Sequence, residues 1–392
     1  MLTRNSLAAV QSALSDAAVD GWLLYDFRGS NPIAHAMLRL EGLVSRRVFA
    51  WVPRVGTPVA ITHAIEQGPW SHWPAEWERR VYASWRSLEE QLAALVRGKH
   101  VLMEYSPGDA VPVVDRVPAG VLEMVRASGA TVSTSANLVS RFFAVWDGAQ
   151  VAAHERAAEQ LARIARDAFV RAGESVRSRA PLSEHDLMVW IRQEFDKARL
   201  TTDHGPNVSF GENAANPHYE PIPSSPRLLH QGDVVLIDLW AMEAGGMWAD
   251  QTWMACIGEP SPKVRAVWTA VREARDAAIS LVRRRAAANA EVKGAEVDDA
   301  ARAVIDAAGY GAHFTHRTGH SIDARALHGS GPNLDNLETR EERVLIRGVG
   351  FSIEPGVYVA GEFGIRSEVN AYMDDHSVTV TPREIQTDLI IV

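Results

Sequence analysis

Two carboxylate pairs stand inside the most apolar stretches of the chain, each spaced evenly about a turn. In DVVLIDLWAMEAGGMWADQTW, Asp238 and Asp250 each lie six residues from Ala244, and the Ala-Gly-Gly there reads as a hairpin between two strand-like runs. A turn centred on Ala244 sets the two aspartates opposite each other, their Cβ atoms about 4.5–5.5 Å apart. In IEPGVYVAGEFGIRSE, Glu354 and Glu368 each lie seven residues from Gly361, which predicts a second hairpin carrying a second acidic pair. Strand alternation puts Arg366 on the face of Glu368. Carboxylates that close raise each other's pKa unless a cation lies between them. One such pair is easily a coincidence of register, but two pairs with a histidine-rich segment between them favour a metal site.

That segment, GYGAHFTHRTGHSIDARALHG, holds His313, His316, His320 and His328, four of the fourteen histidines. Four carboxylates and one imidazole form a donor set for two divalent cations. Hard oxygens suit Mn²⁺, Co²⁺ or Zn²⁺, and carboxylates can bridge both ions. Four negative groups balance four positive charges and leave a bridging hydroxide as nucleophile. Water held between two cations has its pKa lowered from about 15.7 toward about 7.

At 392 residues the length favours one large domain plus a smaller one. Hydrophobic content of 46% with 23% charged residues is that of a soluble globular protein. A net charge of −9 and a pI near 5.9 argue against nucleic acid or an anionic membrane as partner. Cys256 is the only cysteine, so no internal disulfide forms. With no apolar leader-like segment at the N-terminus and no apolar run of 18 residues, the expected compartment is cytoplasmic.

Residues 1–146 read as an α/β domain. A periodic helix at 6–18 is followed by WLLYDF, RRVFAWV and TPVAIT as strands, an acidic helix at 88–96, the strand VLMEY and a helix at 121–128. Gly29, Asn31, Pro32, Pro107 and Gly108 are read as loop punctuation between them. At Trp146-Asp147-Gly148 the texture changes to alanine-rich helices. The first has Val151, Ala158, Leu161, Ala165 and Ala168 at helical spacing. Ser183 with Asp186 caps a second, Pro262 opens a third, and a fourth at 296–308 stops at Gly309. Strand-like runs lie between and after them: DVVLIDLWAM, GMWADQTWMACI, VGFSIEPGVYV, FGIRSEVNAYM and SVTVTP. Residues 147–392 are therefore read as an α+β domain with helices on antiparallel strands. His35, His63, His72, His100, His154, His185, His204, His230 and His376 are read as ordinary core or surface groups. Trp240, Trp248 and Trp253 are candidates to wall a pocket beside the aspartates. Arg283-Arg284-Arg285 reads as a solvated helix end, and Asp374-Asp375 as a hairpin turn.

With these residues in place, the chain resembles the pita-bread metallopeptidases, the family of prolidase, aminopeptidase P, methionine aminopeptidase and the metal-free creatinase. The similarity runs over residues 149–392, and the first domain resembles the creatinase/prolidase N-terminal domain. The family's ligand order Asp, Asp, His, Glu, Glu matches Asp238 in LIDLW, Asp250 in ADQTW, His320 in HRTGHSI, Glu354 in SIEPGVY and Glu368 in IRSE. The resemblance implies that Glu354 is also the general base. It implies that His316 and His328 hold the leaving peptide and the developing oxyanion, and that His218, in GENAANPHYEP, sits near the scissile bond. By the same resemblance, Arg366 binds the substrate carboxylate or structures its pocket, and Thr252 supports the metal carboxylates. His313 has no role by this comparison.

Two departures stand out. Asp238 and Asp250 are twelve residues apart where relatives have eleven, a difference that one bulged residue would absorb. His320 and His328 are eight apart rather than seven, and Asp323 stands where a glycine is usual. The implied activity is hydrolysis of the Xaa-Pro bond in short proline-containing peptides, prolidase-like. Two divalent ions are implied, manganese first and cobalt or zinc after it, in a homodimer. Aminopeptidase P, with the same ligands and longer substrates, is the alternative. Methionine aminopeptidase usually lacks the first domain, and a non-catalytic binding module is expected to lose ligands that all stand here.

Overall fold

The computed structural model describes residues 2–374 and 377–392; Asp375 and His376, read above as part of a turn and as an ordinary histidine, lie outside them. The chain divides into Met1–Phe143 and Ala144–Val392. The division falls three residues before the one read from composition, because Val145 bridges to Val349 and the Trp146 N–H donates to Gly348 O at 2.7 Å. The Trp146 ring also lies over Gly350, where any Cβ would fall 1.9 Å from it.

The first unit alternates α1 (Arg4–Asp16), β1 (Gly21–Asp26), α2 (Pro32–Leu38), β2 (Val48–Pro53), β3 (Val59–His63), β4 (Glu78–Tyr82), α3 (Trp85–Val96), β5 (His100–Met103), α4 (Ala119–Ala127), β6 (Thr131–Thr134) and α5 (Ala136–Phe142). Its sheet runs β4-β3-β2-β1-β5-β6. Asn31 and Pro32 do not mark a loop. The Asn31 side chain caps α2 by accepting the Ala34 N–H at 3.1 Å, and Pro32 fills the first helical position, where no N–H is needed. The strand β4, ERRVY, is a charged edge without apolar alternation, so it escapes a periodicity reading.

The second unit opens with two helices, α6 (Gly148–Ser178) and α7 (Glu184–Ala198), then β7 (Leu200–Thr201), β8 (Asn207–Phe210), β9 (Val234–Glu243) and β10 (Ala249–Cys256). The helices α8 (Pro262–Ala287) and α9 (Gly294–Ala307) follow, then β11 (Ser321–Ile322), β12 (Gly350–Ile353), β13 (Gly356–Val359), β14 (Phe363–Arg366), β15 (Val369–Met373), β16 (Val378–Thr381) and β17 (Ile390–Ile391). Local chemistry starts each long helix. Asp147 caps α6, Ser183 and Asp186 form the reciprocal box on α7, and Ser261 caps α8 ahead of Pro262. Among the described residues, no helix is long and apolar enough to cross a membrane.

Strand alternation decides which residues reach the site. Val235, Ile237, Leu239 and Ala241 of β9, with Ala249, Trp253 and Ala255 of β10, form one buried cluster with Ala157, Leu161, Ala165 and Phe169 of α6. Gln251 on the same face donates to Ala158 O of α6 at 2.8 Å. The intervening residues, Asp238, Trp240, Asp250 and Thr252, therefore face the other way. On the far side, α8 and α9 pack against Phe351, Ile353, Val357, Ile365 and Val369 in a second core. Trp253 consequently belongs to the α6 core and does not wall a pocket beside the aspartates. Trp240 and Trp248 do cluster with Ile322 and Tyr372 on the aspartate side.

His154 is the core histidine the sequence suggests. It is fully buried on α6, its Nδ1 2.7 Å from Trp248 O and its Nε2 2.8 Å from Thr381 Oγ1, and burial holds its pKa down to about 4. Unfolded, the ring takes a proton below about 6.5. Its contribution to stability is thus complete above about 6.5 and is lost as pH falls toward about 4. The melting temperature should fall from pH 7 to pH 5, and His154→Gln should flatten that slope; equal slopes in both proteins would contradict the assignment.

Candidate metal centre

The first hairpin turns one residue later than the spacing suggests. Asp238 pairs with Thr252 and Asp250 with Trp240, so the centre is Gly245, at φ +72°, with the Gly246 N–H donating to Glu243 O at 2.8 Å. The ladder is unbroken from Ala249↔Ala241 to Cys256↔Val234. The extra residue between the aspartates therefore sits in the turn and makes no bulge. Asp238 and Asp250 end up diagonal on one face, not directly opposed, still within reach of a shared partner.

The second hairpin does centre on Gly361, at φ +74°. The β13–β14 and β12–β15 ladders keep one register, from Val359↔Phe363 through Gly356↔Arg366 to Ile353↔Val369, and Glu354 and Glu368 fall opposite each other in the break between them. The two predicted long strands are each split there, since Pro355 has no N–H to give the ladder. The hairpins are stitched together: the Glu368 N–H donates to Thr252 O at 3.3 Å, and the Asp250 N–H to Asn370 Oδ1 at 2.8 Å.

His320 arrives from a third segment. Its N–H donates to Ser352 Oγ at 2.9 Å and its Nδ1 donates to Ser321 O at 3.0 Å, which leaves Nε2 toward the carboxylates, 3.3 Å from Asp250 Oδ2 and 3.5 Å from Glu354 Oε1. One donor atom each of Asp250, His320 and Glu368 lies within 4.8 Å of the others, and all three residues are buried. Ser352 Oγ donates to Glu354 Oε1 at 3.0 Å. Thr252 Oγ1 lies 2.8 Å from Glu368 Oε2 and 3.4 Å from Asp238 Oδ1. The structure thus brings all five predicted ligands together.

The electrostatics of this cluster are unfavourable as the chain alone provides them. Two like charges about 4 Å apart repel by about 4 kcal/mol at an effective dielectric of about 20, and here four carboxylates share one buried space. Arg366, paired with Asp238, and a protonated His320 supply only two positive charges. Burial pushes Asp238 up to about 7, with Asp250 and Glu354 adding to the rise and Arg366 opposing it. Burial also raises Asp250, and it raises Glu368 well above the carboxylate range with help from Asp250, Glu354 and Asp238. Glu354 alone is held low: burial opposes its charge, but His320, His316 and Arg366 outweigh it. Glu368 Oε1 is buried without a hydrogen-bond partner. Divalent cations held by Asp238, Asp250, His320, Glu354 and Glu368 would satisfy that oxygen and cancel the excess charge, so the residues fit the ions that the donor set implies.

The remaining predicted residues surround this centre. His316 keeps its Nδ1 on Arg317 O at 2.7 Å and its Nε2 2.8 Å from the Tyr358 hydroxyl, and burial lowers its pKa. Arg366 is buried, donating from Nε to Thr252 Oγ1 at 2.8 Å and from Nη1 to the Tyr358 oxygen at 3.3 Å. Its head is therefore engaged on the ligand side, which suits the structuring role of the two that the resemblance implies. The exposed His328 ring packs against His320 at a 38° tilt, centroids 4.0 Å apart, despite the longer spacing. Asp323 explains how. Its buried carboxylate accepts the N–H groups of Arg325 at 2.7 Å, Ala326 at 2.9 Å and Ser330 at 3.4 Å, which shapes the lengthened loop. His218 is exposed, one residue beyond Pro217, whose carbonyl takes a bond from Arg366 Nη1 at 3.4 Å. His313 lies in a 3₁₀ turn at Gly311–His313 and makes no ligand contact.

Several supporting residues were not picked out from the sequence. Ser352 and Asn370 stand two residues from Glu354 and Glu368, so strand period alone could have put them on the ligand face. Asp298 and Arg302, one turn apart on α9, gave no such signal: Asp298 accepts the Thr318 N–H at 2.9 Å, and Arg302 donates to Phe314 O at 3.1 Å and to His316 O.

Residues 156–375 match the model of metallopeptidase family M24. That match covers more than half of the chain, and the chain belongs to this family. The Xaa-Pro dipeptidase of Lactobacillus delbrueckii subsp. lactis is 34% identical over 193 residues, 49% of this chain and 47% of that protein. The chain thus spans about half the length of the curated relatives it matches. Among solved structures, the dipeptidase PepE from Mycobacterium ulcerans superposes with a TM-score of 0.74 at 24% identity, over 99% of this chain and 97% of that one. Recombinant prolidase from Thermococcus sibiricus gives 0.65 at 23% identity over the whole of both chains. These likenesses bear out the pita-bread fold read from the sequence.

Thr252 touches two of the predicted ligand carboxylates, Asp238 and Glu368, and Arg366. Thr252→Val should weaken Mn²⁺ binding by about 10–100-fold, as loss of such a supporting group does elsewhere; unchanged affinity by titration calorimetry would show the hydroxyl to be irrelevant.

Proposed function

We propose that this chain is a Xaa-Pro dipeptidase of the prolidase type, working with two divalent cations, manganese ahead of cobalt or zinc. The observation that carries the reading is the convergence of Asp238, Asp250, Glu354, Glu368 and His320 on one spot, where Glu368 Oε1 is buried without a hydrogen-bond partner. The names borne by relatives such as the Lactobacillus enzyme support the substrate class. On this reading residues 1–146 are the creatinase/prolidase-like N-terminal domain and 147–392 the catalytic one.

When bound, the cations polarise the scissile carbonyl and acidify water. Glu354 takes the proton of the attacking water and returns it to the departing prolyl nitrogen, a task suited to a carboxylate whose pKa is held low. His316, its Nδ1 proton tied to Arg317 O, accepts the Tyr358 O–H at Nε2, and on this reading stands beside the leaving peptide. His218 and His328 flank the scissile bond, and Arg366 holds Asp238 and Thr252 in place. A prolyl nitrogen carries no N–H, so a protease that grips the scissile N–H loses that contact, whereas this site does not depend on it. The reading extends to a cytoplasmic homodimer acting on short proline-containing peptides.

A Xaa-Pro dipeptide should be hydrolysed in the presence of Mn²⁺ and a Xaa-Pro-Yaa tripeptide much more slowly. Cleavage of the tripeptide alone would replace the dipeptidase by an aminopeptidase P. Asp250→Ala should abolish turnover while the circular dichroism spectrum stays that of the parent; a fully active variant would remove the metal argument.

A further inference from the structure

Residues 211–219 carry His218 but have only one short 3₁₀ turn, Gly211–Ala215, to shape them. Their order comes from elsewhere. Glu184, the first residue of α7, is fully buried, and both of its carboxylate oxygens are spent on this segment. Oε1 accepts the Phe210 N–H at 2.6 Å and Asn213 Nδ2 at 3.1 Å, while Oε2 accepts the Tyr219 hydroxyl at 2.6 Å and Asn213 Nδ2 at 3.1 Å. One carboxylate therefore grips the strand end at Phe210 and the residue immediately after His218.

The opposite side of the segment is held by the second hairpin. Arg366 Nη1 donates to Pro217 O at 3.4 Å, and Gly364 lies so close that a Cβ there would meet Ala214 O at 1.9 Å. The His218 N–H is itself tied to Asn216 Oδ1 at 3.1 Å. His218 thus stands between a residue anchored to Arg366 and a residue anchored to Glu184. If Glu184 served only to favour the start of α7, its oxygens would face the helix's own free N–H groups; they face the segment instead.

We infer that Tyr219, through its hydroxyl bond to Glu184, is the positioning residue that sets His218 beside the substrate. This rests on the peptidase reading above, and neither Tyr219 nor Glu184 touches the reacting atoms. Tyr219→Phe keeps the ring and removes only the O–H, a charge-assisted bond whose loss is worth roughly a tenfold effect. With a Xaa-Pro dipeptide and Mn²⁺-loaded enzyme, kcat/KM should fall roughly tenfold with metal content unchanged. In the His218→Ala background the same substitution should cost less than twofold, because there is no longer a histidine to position. Wild-type kinetics for Tyr219→Phe, or losses that multiply in the double variant, would overturn the inference. Placement can also be read without turnover: in zinc-loaded protein, Tyr219→Phe should move the ring NMR signals of His218 and leave those of His313 in place, and unmoved His218 signals would refute it. A wild-type protein inactive on every Xaa-Pro peptide would sink the peptidase reading, and the NMR comparison would still decide the role of Tyr219.

Discussion

The structure depends on a concentration of negative charge that its own side chains cannot neutralise. Asp250 and Glu368 are buried and Asp238 and Glu354 half-buried among apolar strands, against one guanidinium and one imidazole. Burying an ion costs several kcal/mol unless a partner repays it, and like charges at this range add to that cost. Burial and mutual repulsion raise the pKa values of Asp238, Asp250 and Glu368, which eases that cost by favouring protons there. Cations held by these residues would answer it more fully.

Holding such a cluster requires elements that do not yield. The two hairpins meet through backbone bonds, Glu368 to Thr252 and Asp250 to the Asn370 side chain, so neither acidic pair can spread away from the other. The histidine segment has little regular structure and is held from outside, by Ser352 at His320 and by the Asp298–Arg302 pair of α9 at residues 314–318. Asp323 shapes the loop bearing His328 from within it. The loop bearing His218 leans on a carboxylate of α7. Each of these segments thus engages a buried carboxylate, Asp298, Asp323 or Glu184.

The legible part of this was what depends on period and symmetry. Strand alternation and turn glycines located both acidic pairs, and the second hairpin has the register those signals imply, centred on Gly361. The first does not, because the length of a hairpin turn is set by local backbone geometry at Gly245 and Gly246 and not by the spacing of two side chains. The cap at Ser183 and the helix-opening Pro262 were readable because they act within one turn. Asn31-Pro32 was misread because the same residues serve loops and helix starts. Trp253 was misplaced by proximity in sequence, where parity along β10 would have sent it to the α6 side. Asp298, Arg302 and Glu184 were illegible, since their partners lie far along the chain and no periodic pattern marks them. The role of Arg366 needed three dimensions for the same reason.

Anomalous diffraction from crystals grown with Mn²⁺ tests the central claim most directly. The account predicts two peaks within the space bounded by Asp238, Asp250, His320, Glu354 and Glu368, with Glu368 Oε1 turned to one of them. A fully occupied manganese elsewhere, or no peak among these five residues, would contradict it.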